Sequence, residues 1–194
     1  MPRREQLMTP RGEPFVYETL AVAPADVLEE VLRRGTTPAL DDLAGWEYRG
    51  YNTPDVTRLL GIRKFKKGFY RSPEGPPAQI AGYNVKIRQN GSLLLPWEDL
   101  LVRDAPVRFG WYDVYPVRLG EEDNRYPDAL LLNYGSSPKN PPLDPSRLLR
   151  DYLVQVYPDD PELLLGKAMA ALGVFRVCVG YFVLGRSNPG PVSP

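Results

Sequence analysis

Arg63, Lys64, Lys66 and Lys67 crowd one alternating segment of this chain, and Lys86 and Arg88 close another that also carries Tyr83. Cations placed this way can hold a carboxylate or a phosphate by charge-assisted hydrogen bonds. Of the twelve tyrosines, Tyr48, Tyr83, Tyr112, Tyr115, Tyr134, Tyr152 and Tyr181 fall on strand-like segments. A tyrosine joins an apolar ring to a polar tip, which suits a pocket wall and a core rim alike. Asp113 and Asp151 are acids within apolar runs. Paired with Arg108 or Arg150 they are structural. Buried beside a tyrosine, either one becomes an acid or base with a raised pKa. Asn52, Asn84 and Asn133 add amides that can orient a carbonyl.

What the chain lacks narrows the chemistry further. It has no histidine, so a Ser-His-Asp triad, a His-ligated haem and a His-containing zinc site are excluded. A single cysteine, Cys178, rules out multi-cysteine metal sites and an intramolecular disulfide. Its neighbours Val177 and Val179 predict a small buried hydrophobe. No metal, no cofactor and no catalytic residue is expected. The balance of 24 basic against 24 acidic residues argues against a nucleic-acid surface. No apolar run reaches the roughly 18–20 residues that span a bilayer. The amino-terminal segment is charged with no apolar core behind it, unlike a secretory signal, so a cytoplasmic location is expected.

The elements that must position these residues are mostly strands. Residues 1–13 read as a flexible arm. Asp26 is placed to cap a helix whose apolar positions Val27, Leu28, Val31 and Leu32 recur at helical spacing up to Gly35. The segment GWEYRGYN, residues 45–52, reads as the first strand, and further strands are predicted over 61–70, 79–89, 107–117, 129–134, 148–157, 163–171 and 174–184. Alternation puts Arg63, Phe65, Lys67 and Phe69 on one face; it likewise separates Ala81, Tyr83, Val85 and Ile87 from Asn84, Lys86 and Arg88. Asn90 and Gly91 predict a type I′ hairpin with a return strand over 93–95, followed by one helical turn over 97–102. Residues 135–145, rich in Gly, Ser, Pro and Asn, read as a long loop at a binding mouth, and residues 187–194 as a flexible tail. The fold expected is mainly β: a single antiparallel up-and-down β-barrel of about eight or nine strands over residues 14–186, with a short N-terminal helix.

Trp46 after Gly45, and Arg186 after the last predicted strand, are the residues by which the chain resembles the calycin superfamily of lipocalins and fatty-acid-binding barrels. The resemblance covers residues 24–186 in outline. It departs from the family pattern in that Gly45 directly precedes Trp46 and the lipocalin disulfides are missing, which places the chain as a divergent cytoplasmic member. It implies that Trp46 plugs the closed end and that Arg186 covers it, both structural. It also implies a small hydrophobic or amphipathic, in one version anionic, molecule bound inside the barrel. The ligand-binding residues expected are Tyr83, Lys86, Arg88, Tyr115, Asn133, Tyr152 and Tyr181. Here Lys86 or Arg88 would turn inward to meet a head group, against the alternative that all six cations lie on a solvated outer face. Two other functional readings stand beside this one. One is a cyclase, isomerase or lyase using Tyr, Asp or Arg on the same scaffold. The other is a protein-interaction module with a filled barrel.

Overall fold

The computed structural model describes residues 7–9, 12–53, 61–73, 79–191 and 194. Eight antiparallel strands close a barrel: β1 (Trp46–Asn52), β2 (Lys64–Arg71), β3 (Ile80–Lys86), β6 (Arg108–Pro116), β7 (Leu130–Asn133), β8 (Leu149–Tyr157), β9 (Asp160–Leu172) and β10 (Phe175–Pro189). Neighbours in sequence are neighbours in space, and β10 returns to β1, so the topology is up-and-down and the sheet has no edge. A separate two-stranded ribbon, β4 (Leu101–Val102) with β5 (Ala105–Pro106), stands between β3 and β6. Among the described residues no helix is long and apolar enough to cross a membrane.

Alternation along each strand splits the core into two layers. Tyr48, Phe65, Phe69, Tyr112, Val114, Leu132, Leu153, Leu164 and Phe182 pack together inside the barrel. Tyr152, Val154, Val156, Leu163, Leu165, Tyr181 and Val183 point outward and are covered by helices α1 (Tyr17–Ala21) and α2 (Ala25–Arg34). In α2 the covering face is Leu28, Val31 and Leu32, spaced so that one stripe meets β8, β9 and β10. Its last turn carries Arg33 and Arg34, which suit the negative end of the helix dipole.

The lumen is filled by rings seated on glycines. Phe65 faces Gly50 across β1 and β2, Tyr112 faces Gly82 across β3 and β6, and Phe182 faces Gly166 across β9 and β10. A Cβ built on Gly166 would lie 2.1 Å from the Phe182 ring, and one on Gly82 would lie 2.2 Å from the Tyr112 ring. Only a residue without a side chain lets the ring lie flat across its strand partner. The rings then meet edge to face, with centroids 5.6 Å apart for Tyr48 and Phe69, 5.9 Å for Phe69 and Tyr112, and 5.8 Å for Phe65 and Phe182.

One end is plugged by a short helix. Helix α3 (Leu40–Leu43) inserts the fully buried Leu43 at the base. The 134–148 connection is fastened to β6 by Asn140, whose amide donates to Trp111 O (2.6 Å) and Tyr134 O (2.8 Å) and whose Oδ1 accepts from Trp111 N (2.8 Å), and Lys139 lies over the outward rings of Tyr70 and Trp111. Arg147 donates to the carbonyls of Gly135, Ser137 and Asn140, so the segment is tied to itself.

Several local expectations are corrected. The tight turn with both central residues at positive φ is Arg103 and Asp104, between β4 and β5, and not Asn90 and Gly91. Residues 93–95 and 97–100 form no regular strand or helical turn, because 87–100 is an irregular connection whose backbone bonds to Lys86 and Arg88 instead. The N-cap of α2 is Pro24, and Asp26 sits in its first turn. Strand β10 runs on through Pro189, into the predicted tail, and Gly190 N donates to Gly45 O at 2.8 Å. In the predicted arm Leu7 is buried, and its carbonyl accepts from Tyr157 OH at 3.0 Å.

The ring seats generate a test of the packing. Gly166→Ala forces Phe182 off its strand partner and should destabilise the protein by about 1–3 kcal/mol, as overpacked cores do. A urea midpoint unchanged from wild type would contradict the seating.

Candidate functional site

The chemistry inside the barrel gathers on one side chain. Phe65, Lys67 and Phe69 alternate inward along β2, so Lys67 is carried into the lumen and is only 2 % exposed. An ammonium cannot be enclosed without a counter-charge. Asp151, inward on β8, supplies it: Asp151 Oδ2 lies 3.1 Å from Lys67 Nζ. Tyr134, one residue past β7, accepts from Lys67 and donates to Asp151 Oδ2 at 3.0 Å. Asn84, inward on β3, accepts from Lys67 at 3.1 Å, while its amide nitrogen donates to Gly110 O at 3.0 Å. The faces of Tyr112, Tyr134 and Phe182 complete the enclosure, 4.7–5.1 Å from Nζ.

Burial pushes Lys67 below the ordinary lysine value, and the charge and hydrogen bond of Asp151 pull the other way. Burial, reinforced by the Asp151 charge, drives Tyr112 and Tyr134 well above the usual phenol range, so both hydroxyls stay protonated. Lysine, tyrosine and aspartate in contact are a kit for proton transfer. The rings wall it in on every described side, and in this arrangement it acts as a tie between opposite walls. Asp151 Oδ1 is buried with no hydrogen-bond partner among the described residues. Asp151 therefore pairs with a lysine across the lumen, not with Arg108 or Arg150. Arg150 instead lies 3.3 Å from Asp123.

The basic residues separate differently from either expectation. Lys64 and Lys66 are buried on the outer face, Lys67 is the cation that turns inward, and Lys86 and Arg88 are exposed at the end of β3. The five other expected ligand residues lie on outward-facing positions. Tyr83 covers Gly68, its strand partner, between Tyr70 and Trp111, and donates to Glu47 Oε1 at 2.8 Å. Tyr115 accepts from Asn133 Nδ2 at 2.8 Å, so these two meet each other. Tyr152 packs edge to face on Tyr126 at 4.9 Å, and its hydroxyl is buried. Burial raises that hydroxyl to about 12.

Tyr181 belongs to a second cluster, which docks α2 on the barrel. Glu29 Oε2 accepts from Lys167 Nζ (2.7 Å) and from Tyr181 OH (2.7 Å), and Tyr126 OH bridges Lys167 and Glu29. Burial alone would raise the Glu29 carboxyl, but the hydrogen bonds from Lys167, Tyr181 and Tyr126 outweigh it and hold the group at about 2, against an ordinary 4.5. Burial raises Tyr181 to about 12, and the Glu29 hydrogen bond adds to it. Neither Glu29 nor Lys167 stood out in the sequence, because they lie 138 residues apart on a helix and a strand that meet only in the fold.

At the base, Arg186 lies 4.8 Å from the Trp46 ring centroid and donates to Asp42 O (2.7 Å) and to Tyr48 OH (3.2 Å). One guanidinium thus covers the indole and ties the end of α3 to β1. Cys178 is exposed and not buried; it pairs with Met169 on β9, but pairing of β10 with β1 ends at Asn52 and Phe182 and leaves its other side uncovered by a strand. Among the described residues no three His, Cys, Asp or Glu side chains gather to hold a metal.

Two outcomes check these clusters. Lys67→Met strands the Asp151 carboxylate and should cost about 3–5 kcal/mol, whereas Lys67→Met with Asp151→Leu should recover most of it, read by chemical denaturation. Glu29 has a folded pKa below its unfolded one, so its stabilisation is present above pH 4.5 and is lost as the pH falls towards about 2. Glu29→Gln should flatten the stability profile across that window, and an acid limb identical to wild type would contradict the assignment.

Comparison with protein-family models, with curated proteins and with solved structures finds no match to this chain.

Proposed function

We propose that the chain is a protein-interaction module carried on a filled barrel of calycin type. The observation that carries the reading is the β9–β10 hairpin. Pairing of β8 with β9 stops at Leu149 and Ala170, but the hairpin continues to Leu172 and Phe175 and turns at Gly173 with φ +60°. The projecting tip is apolar: Val174 is 80 % exposed, Phe175 71 %, and Leu172 and Val177 about half exposed. Leu148, also half exposed, directly precedes the Leu149–Ala170 pair at the rim.

Grouped exposed apolar side chains of this kind favour burial against a partner. Each contributes roughly 1.5–3 kcal/mol when fully covered. Ion pairs ring the knob: Arg176 Nη2 with Glu122 at 2.8 Å, and Arg176 and Arg150 with Asp123. An apolar centre with a charged rim is the usual anatomy of a protein interface. The calycin reading itself is supported by the closed antiparallel barrel and the Trp46–Arg186 stack. A ligand in the lumen would have to displace the rings and the Lys67–Asp151 tie, and this favours a partner outside over a molecule within.

The experiment is partner capture on the purified full chain by cross-linking and native mass spectrometry, in parallel with Val174→Asp and Phe175→Asp. Both side chains are exposed, so the fold should survive. Each change is expected to weaken the complex by about 10–100-fold, as for a buried interface anchor. Complexes recovered equally with both variants would overturn the reading.

A further inference from the structure

A concavity of about 450 Å³ lies on the outer wall, where β1 and β2 meet the end of β10 under the 87–100 connection. That volume falls within the usual range of roughly 300–1,000 Å³ for small-molecule sites. Arg49 and Lys66 form its charged part, Leu93, Leu94 and Trp97 its apolar part, and Asn188 lines it as well.

Arg49 is the unusual group. Its guanidinium carbon lies 4.3 Å from the Tyr17 ring centroid and 5.5 Å from that of Trp97, and these rings stand edge to face at 6.1 Å. The rings are fixed in turn: Trp97 Nε1 donates to Gly50 O at 3.0 Å, and Lys64 Nζ lies 3.9 Å from the same indole while donating to Leu95 O. Ring faces hold a guanidinium in place without using its N–H donors. Among the described residues the Arg49 side chain makes no hydrogen bond, and its nearest carboxylate oxygen, Glu18 Oε1, is 3.6 Å away.

The neighbouring Lys66 is already matched by Asp99 at 2.7 Å. Asn188 spends its Oδ1 on Ser187, and its amide nitrogen donates to nothing among the described residues. A guanidinium pre-positioned by two rings, with N–H donors left over beside its ion pair with Glu18, and a spare amide therefore line one cleft together with an apolar wall.

We propose that this cleft binds a small organic oxyanion, a carboxylate or phosphate carried on a short apolar body. The anionic head is held by Arg49 with Asn188, and the body lies against Leu93, Leu94 and Trp97. The site is separate from the hairpin tip, so neither proposal rests on the other.

Calorimetric titration of the full chain with octanoate, octyl phosphate and octanol tests it. At least one of the two anions should bind, with octanol at least about 10-fold weaker, as expected when a charge-assisted pair is lost. Preference between the anions identifies the head group. Arg49→Met keeps the aliphatic packing on Tyr17 and should abolish the preference over octanol. Asn188→Leu, on an exposed strand position, should weaken anion binding without touching Arg49. Phe175→Asp should leave the titration unchanged. Octanol binding as well as the anions, no binding of any probe up to millimolar concentration, or anion binding that survives Arg49→Met would overturn the proposal.

Discussion

A lysine ammonium held across a closed barrel constrains everything around it. Strand β2, which carries Lys67, and strand β8, which carries Asp151, lie opposite each other, four steps apart in either direction round the sheet. Two charges removed from water must stay in contact, since separating them would leave each uncompensated in a medium of low polarity. The pair therefore fixes the distance between facing walls. Asn84 on β3 and Tyr134 just past β7 add hydrogen bonds to the same ammonium, so groups from four places round the barrel meet at one nitrogen. Such a network favours one register of each strand over its neighbours, because a slip by one residue would turn Lys67 or Asp151 outward and leave its partner alone.

The space left by that tie is taken up by aromatic rings, and the glycines decide how. Phe65, Tyr112 and Phe182 each lie over a glycine directly across the ladder, which recovers the packing that a glycine alone would forfeit. The same device recurs on the outer face, where Tyr83 covers Gly68. Large rings are thus laid across the strands instead of standing off them, and a small barrel holds six inward aromatic residues, Tyr48, Phe65, Phe69, Tyr112, Tyr134 and Phe182, without spreading. A lumen built in this way is a core.

How far this could be read in the sequence depends on the residue. The strands, the helix over Leu28, Val31 and Leu32, and closure into a barrel follow from periodicity and short connections, which are local properties. The inward turn of Lys67 was also written locally, since it stands between Phe65 and Phe69 on one alternation. What hid it was the second layer: α1, α2 and the 87–100 connection bury much of the outer face too, so Lys64 and Lys66 are as covered as Lys67 and the polar-out signal disappears. Asp151 looked like a partner for a nearby arginine because its true partner is 84 residues away in sequence. The glycine seats are pairings between strands, and no single strand displays them. Asn90 and Gly91 have the composition of a tight hairpin, yet the turn formed at Arg103 and Asp104, because β4 and β5 pair there while the earlier segment is drawn down by Trp97 and Lys64 onto β1 and β2. Cys178 was expected among buried valines, and its exposure follows from the length of β10 past the last residue of β1.

That extra length changes the value of the hairpin as a contact. A flexible loop that binds must first be ordered, at a cost of roughly 0.5–1.5 kcal/mol for each immobilised side chain with many rotamers. Here the two strands are ladder-bonded up to Leu172 and Phe175, and Arg176 is clamped between Gly173 O, Glu122 and Asp123. Val174 and Phe175 are therefore presented on a backbone that is already ordered, and branched and aromatic side chains have few rotamers left to lose. The rigidity of the filled interior extends to the tip through β9 and β10, whose lower halves are walls of the same barrel. An apolar knob exposed on so stiff a support favours association, since the hydrophobic gain on covering it is met by little ordering cost.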